Sequence, residues 1–97
     1  MIDAAELVDN DFLRQFELKV EEDLAKIEYS LQDRKIFLTK LCIPEGASEA
    51  FESDFLTLVF ENISERNISV VPTSPEIAKF LRKNRKYQKM LPVGIRI

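Results

Sequence analysis

The chain has 97 residues, 45% of them hydrophobic, with seven Phe, two Tyr and no Trp, which suits one domain with a single core and is too apolar for a disordered chain. With no histidine and a single cysteine, the common zinc sites and histidine-based acid–base or triad chemistry are excluded. The net charge of −3 joins unlike parts: residues 1–65 carry 16 acidic and 6 basic side chains, residues 66–97 carry 1 acidic and 8 basic, a division that marks a binding face or lets two halves of one domain attract each other.

The N-terminus, "MIDAAELVDNDF", is acidic, and no apolar run reaches the roughly 20 residues that span a bilayer. A cytoplasmic chain without signal peptide or membrane partner is expected. Residues 1–12 read as an N-terminal extension with a short helix in "DAAELVDNDFL", and residues 13–97 as one domain. "QFELKVEE" alternates, with Phe16, Leu18 and Val20 on one face, so it reads as a half-buried strand. "LAKIEYSL" repeats the pattern with Ala25, Ile27, Tyr29 and Leu31 inward, after a short connection at "EEDL". "QDR" makes the next turn, and "KIFLTKLCIP" is a third strand closed by Pro44. Three consecutive strands with short links form an antiparallel meander. Cys42, inside the third strand, reads as a small buried hydrophobe or as a reactive thiol.

The period then changes. Phe51, Phe55, Leu58, Val59 and Ile63 lie on one helical stripe, widened by Leu56 and Phe60. "SERN" ends that helix, and "ISVVP" is a short buried strand, parallel to the third because a helix crosses between them. "TSPEIAKFLRKNRKYQKML" reads as one second helix, with Thr73 and Glu76 spaced for a capping box and Ser74–Pro75 for a cap with proline at the first helical position. Ile77, Phe80, Leu81 and Tyr87 form its apolar face, Pro92 stops it, and "VGIRI" is a tail able to add an edge strand. The expected fold is α+β: β-β-β-α-β-α, helices on a mixed sheet.

This order, with "AKIEYSLQDRKIFLTK", "VVP" and "SPEIAKFLRKNRKYQ", resembles the short, single-domain branch of the GNAT N-acetyltransferases, over about residues 15–91. The resemblance implies the acyl-CoA N-acyltransferase fold, a sheet that splays to admit acetyl-CoA. It also implies that a T-E-V-P-like strand end is followed by an R-G-x-G-I-G-like loop whose backbone N–H groups hold the cofactor pyrophosphate at a helix start. A P-x-C-P segment opens the last helix, its cysteine serving a catalytic or substrate-side role. On this sequence "LCIP" (Leu41 to Pro44) falls on the strand end and "SEAFES" on the loop. Ser48 then stands at the arginine, Glu49, Phe51 and Ser53 at the three glycines, and Ala50 and Glu52 between them. "PTSP" (Pro72 to Pro75) places Ser74 at the cysteine.

Both motifs depart from the pattern in chemically specific ways. A phosphate cradle at a helix start needs close backbone approach, positive φ at some positions and a positive end. Glu49 and Glu52, with Glu45 and Asp54 nearby, oppose a phosphate. A carboxylate about 4 Å from one costs on the order of 4 kcal/mol at an effective dielectric of 20, about a thousandfold in affinity. The same residues suit an ordinary helix start, with Ser48 as N-cap and two glutamates complementing the dipole. Ser74 lacks a histidine to activate it and reads, with Thr73, as a helix cap. Glu17 and Glu28 are the only strand carboxylates offered as general bases.

Lys79, Arg82, Lys83 and Lys86 share one helical face, a candidate anion site that also reads as a solvated face or as the electrostatic partner of the acidic first helix. Nucleic acid is disfavoured, since only Tyr87 is interleaved as an aromatic. The expectation is therefore a GNAT-like chain that has lost acetyl-CoA, needs no cofactor or metal, and serves as a non-catalytic binding or interaction module. The alternative is an active acetyl-CoA-dependent N-acetyltransferase with an altered loop, Gly46 giving the room. A protein partner or a second copy is expected at the open edge between the third strand and the strand at 68–71.

Overall fold

The computed structural model describes residues 6–20 and 22–92. Five strands lie side by side in chain order: β1 (Val8–Asn10), β2 (Gln15–Val20), β3 (Asp23–Gln32), β4 (Lys35–Cys42) and β5 (Ser69–Pro72). The first four are antiparallel, and β5 joins β4 in parallel after the crossover helix α1 (Glu49–Ser64). Helix α2 (Pro75–Lys83) and a 3-10 helix (Arg85–Met90) follow. The expected mixed sheet and parallel pairing are therefore present, with one strand more than the sequence patterns suggest. The tail at residues 93–97, expected as an edge strand, lies outside the described residues.

The period-2 patterns produce one buried face. Phe16, Leu18, Ala25, Ile27, Tyr29, Ile36, Leu38 and Val70 are all buried in a single core with Phe55, Leu56, Val59, Phe60 and Ile63 of α1 and Ile77, Phe80 and Leu81 of α2. Phe60 stacks on Phe80 and Tyr87, with ring centroids 5.5 Å and 5.4 Å apart. Both helices thus pack on the same face of the sheet. On the opposite face Phe37 pairs across strands with Val71, both half-buried and outside that core.

Local chemistry fixes the connections. Asp33 and Arg34 both have positive φ, 46° and 62°, the two-residue hairpin geometry whose twist matches the flanking strands. Asn67 (φ 56°) turns the chain out of α1, a left-handed exit that asparagine tolerates. Register steps between Glu28/Tyr29 and Leu38/Lys40, so Thr39 is an extra residue that bulges β4.

Two expectations are corrected. The second helix is not continuous. Asn84 (φ −125°, ψ 74°) ends α2; its side-chain amide donates to the Phe80 carbonyl at 2.8 Å, while its own N–H goes to Leu81 at 3.2 Å. The side chain takes the acceptor that its backbone would use in an α-helix, so the helix stops there. Residues 8–10, within the expected N-terminal extension, form β1, paired through Val8↔Glu17, Asp9↔Phe16 and Asn10↔Gln15, while the start of the helix expected in that extension lies outside the described residues. Asp9 explains why. It accepts a hydrogen bond from the Tyr29 hydroxyl and an ion pair from Arg66, which in turn lies 5.5 Å over the Phe16 ring. Asp9→Ala leaves a buried phenol without its acceptor, an expected loss of about 1–3 kcal/mol. That corresponds to roughly 5–20 °C in thermal unfolding of a domain this size; an unchanged transition would show β1 to be a mere appendage.

Candidate functional site

The chain leaves β4 through a tight turn. The Ala47 N–H donates to the Pro44 carbonyl at 3.1 Å, and Gly46 takes φ 89°, a left-handed conformation that glycine adopts at no steric cost. A Cβ there would meet nothing within 4 Å, so the space over this turn is open. Ser48 follows as N-cap of α1, its backbone extended (φ −79°, ψ 163°) and its hydroxyl accepting from the Phe51 N–H at 3.1 Å. The Glu52 N–H returns to the Ser48 carbonyl. The amides of Glu49 and Ala50 are too early in the helix for intrahelical acceptors. Phe51 is half-buried against the core and stacks on Phe55, centroids 6.3 Å apart. Ala50 is exposed, and the Ser53 carbonyl accepts from the Thr57 hydroxyl.

The second junction lies beside the first. Strands β4 and β5 pair from Lys35/Ser69 to Leu38/Pro72. Beyond that point β4 continues to Cys42 while the β5 chain turns into α2. Thr73 sits at the fork and donates both its N–H (3.1 Å) and its hydroxyl (3.0 Å) to the Leu38 carbonyl. Ser74 occupies the N-cap position and is buried, yet its hydroxyl does not cap a backbone N–H; it donates to the Glu76 carboxylate at 2.6 Å. The expected capping box is therefore replaced by two side-chain bonds that tie the fork together. The Ser74 hydroxyl, then Glu76's own backbone N–H, holds the Glu76 carboxyl below its ordinary pKa.

Between the start of α1 and α2 runs a groove of about 240 Å³. Its apolar floor is Leu56 and Phe80; Glu49, Glu52 and Glu76 bring carboxylates to it, and Lys79 and Lys83 bring ammonium groups. Among the described residues the ion pairs are Lys26–Glu28, Arg66–Asp9 and Lys86–Glu61, so none crosses this groove. Both walls follow the same spacing, Glu49, Glu52, Ser53 and Leu56 on one helix and Glu76, Lys79, Phe80 and Lys83 on the other. That i, i+3, i+4, i+7 repeat was the available signal; sequence alone does not say which two stripes face each other.

The structure divides the expected anion face. Lys79 and Lys83 line the groove, whereas the break at Asn84 sends Lys86 elsewhere, with its Nζ 4.0 Å from Glu61 and 4.9 Å from the Tyr87 ring centroid. Arg82 is exposed and outside the groove lining. Glu17 accepts from the side chains of Asn10 and Gln15, and Glu28 pairs with Lys26 at 3.7 Å. Neither carboxylate lines the groove. Cys42 is a free, half-buried thiol at the end of β4. No helix among the described residues is long and apolar enough to cross a membrane.

No family model matches the sequence, and no curated protein matches it. Among solved structures, the fold matches that of a GCN5-like protein from Staphylococcus aureus, determined by NMR and assigned provisionally as an N-acetyltransferase. The TM-score is 0.71 at 19% identity, covering 98% of this chain and 94% of the other. The described residues of the chain therefore have a GNAT-type fold.

Proposed function

We propose that this chain is a GNAT-fold binding or interaction module that does not hold acetyl-CoA. One observation carries the reading: the start of α1, where the fold would cradle a diphosphate, carries the chain's own oxygens. The Ser48 hydroxyl takes the Phe51 amide, and Glu49 and Glu52 add two carboxylates beside the amides that remain. Positions 49, 51 and 53 also bear side chains, Phe51 committed to the core. The residues present are a poor fit to a diphosphate on steric and electrostatic grounds, since the favourable dipole term is only about 0.3–1 kcal/mol per charge. The fork offers no better chemistry. Ser74 is buried, and a carboxylate held at lowered pKa is a weak base for its hydroxyl.

The test is titration with acetyl-CoA, read by calorimetry and thermal unfolding. A ligand at 100 times its Kd adds roughly 2.7 kcal/mol of stability, about 10–20 °C here. No heat and no shift at millimolar acetyl-CoA is the expected outcome; a saturable shift, with acetyl transfer to an amine, would overturn the proposal. A second reading, an active acetyl-CoA-dependent N-acetyltransferase with an altered loop, is favoured by the open space over Gly46 together with the free end of β4 beyond Leu38.

A further inference from the structure

We propose that the groove between the start of α1 and α2 binds a small zwitterion, an ammonium and a carboxylate on an apolar body, as in a free apolar amino acid or a short apolar peptide. The inference deepens the reading above and rests on it, because a groove that held acetyl-CoA would not be free for such a ligand.

The two walls carry opposite charges that do not meet. Glu49 and Glu52 of α1 stand on one side of the groove and Lys79 and Lys83 of α2 on the other. Among the described residues no ion pair joins them. The other polar side chains of the α2 wall are already engaged. Glu76, the third carboxylate, accepts from the Ser74 hydroxyl at 2.6 Å, and the Asn84 amide donates to the Phe80 carbonyl at 2.8 Å. Two carboxylates therefore face two ammonium groups across open space, a balanced pair of poles.

The occupant follows from that balance. A cation drawn to Glu49 and Glu52 meets the charges of Lys79 and Lys83, and an anion drawn to the lysines meets the glutamates. A ligand of one sign is thus attracted by one wall and repelled by the other. A ligand with both charges satisfies both walls at once, its ammonium on α1 and its carboxylate on α2, each through charge-assisted hydrogen bonds. The floor selects the body of the ligand. Leu56 and Phe80 are apolar, and the methylene stems of Lys79 and Lys83 extend that surface. Size sets the upper bound. A groove of about 240 Å³ falls below the roughly 300–1,000 Å³ of clefts that take drug-sized ligands, so the body is no larger than one or two aliphatic side chains.

The probes are L-leucine and leucyl-leucine, each titrated into the full chain to about 10 mM, ten times a Kd of about 1 mM, and followed by amide chemical shifts and calorimetry. At least one should give saturable shifts concentrated at residues 49–56 and 76–84, and the tighter of the two tells a free amino acid from a peptide. Blocking the tighter probe, by acetylating its amine or amidating its carboxylate, should weaken binding about tenfold or more in each case, the loss of one hydrogen-bonded charge. Glu49→Gln with Glu52→Gln should then bind the acetylated form better than the wild type does, and Lys79→Gln with Lys83→Gln should do the same for the amidated form. A loosened helix would not produce that reversal. No binding of either zwitterion, blocked forms that bind as tightly as the parent, or variants with unchanged preference would each overturn the inference. Titration with acetyl-CoA separates the two readings. A chain that binds neither acetyl-CoA nor the zwitterions overturns this inference alone, whereas saturable acetyl-CoA binding that neither zwitterion displaces overturns both.

Discussion

Exchanging both Glu49 and Glu52 for glutamine is expected to raise the affinity for acetyl-CoA by about 25-fold or more. Each carboxylate near a bound phosphate costs between about 1 kcal/mol, if fully water-screened, and about 4 kcal/mol at the dielectric of a protein surface. The pair therefore accounts for at least about 2 kcal/mol, and each 1.4 kcal/mol is tenfold in affinity. Lys79 and Lys83 already face the same groove, so neutralising the glutamates changes the local balance from three acids against two bases to one against two. The two glutamines weaken the helix start by only about 0.3–1 kcal/mol each, through the lost interaction with its dipole. Steric opening is a separate step. Adding Phe51→Gly removes the side chain that stacks on Phe55 and costs about 1 kcal/mol in helix propensity besides the lost packing, so its fold must be checked by thermal unfolding. Completing the three glycines with Glu49→Gly and Ser53→Gly then restores the glycine loop that the sequence resemblance implies at these positions. Calorimetric titration separates the outcomes. If the charge-neutral variant and the folded glycine variant both ignore acetyl-CoA, the obstruction is elsewhere, at the fork that Thr73 closes on Leu38.

Stability is expected to fall steeply above pH 10, by up to about 1.4 kcal/mol per pH unit for each of the two tyrosines. Burial, then donation to a carboxylate, pushes both phenols up to about 12: Tyr29 donates to Asp9, and Tyr87 to Glu61 at 2.7 Å. The neutral phenol is the donor in both bonds, and the folded chain keeps that proton to higher pH than the unfolded chain does. The stabilisation is therefore complete below pH 10 and is lost as pH climbs through 12. Each phenol contributes at most about 2.7 kcal/mol across that window, a large share of the 5–15 kcal/mol typical of a domain. The readout is clean, because the chain has two tyrosines and no tryptophan. Tyrosinate absorbance should rise together with the loss of circular dichroism, and not ahead of it. Tyrosinate forming near pH 10 in a chain that is still folded would refute this account.

The two tyrosines also show where sequence reading stops. Tyr29 and Tyr87 were legible as core residues, Tyr29 from strand alternation and Tyr87 from helical spacing. Their acceptors lie 20 and 26 residues away along the chain, and no local pattern connects them. The same applies to the candidate site. Ser48 as N-cap and the acidic first turn of α1 could be read directly, because capping depends on neighbours three residues apart. That Ser74 would spend its hydroxyl on Glu76, and Thr73 its own on Leu38, could not, since equally local alternatives existed for both.

By itself the sequence determined the period of each element, hence the meander, the crossover helix and the parallel fifth strand, because alternation and the 3.6-residue stripe are properties of adjacent residues. Tertiary structure alone decided three things. Val8–Asn10 became a strand because Tyr29 and Arg66, distant in the chain, both require Asp9. The last helix broke at Asn84 because one side chain won the acceptor of its own backbone, and with it the basic face divided. The stripe of Glu49 and Glu52 came to face that of Lys79 and Lys83 because packing Phe60 on Phe80 sets how the two helices meet. Each outcome is a competition between partners far apart in the chain, and only the folded arrangement settles which partner is near enough to win.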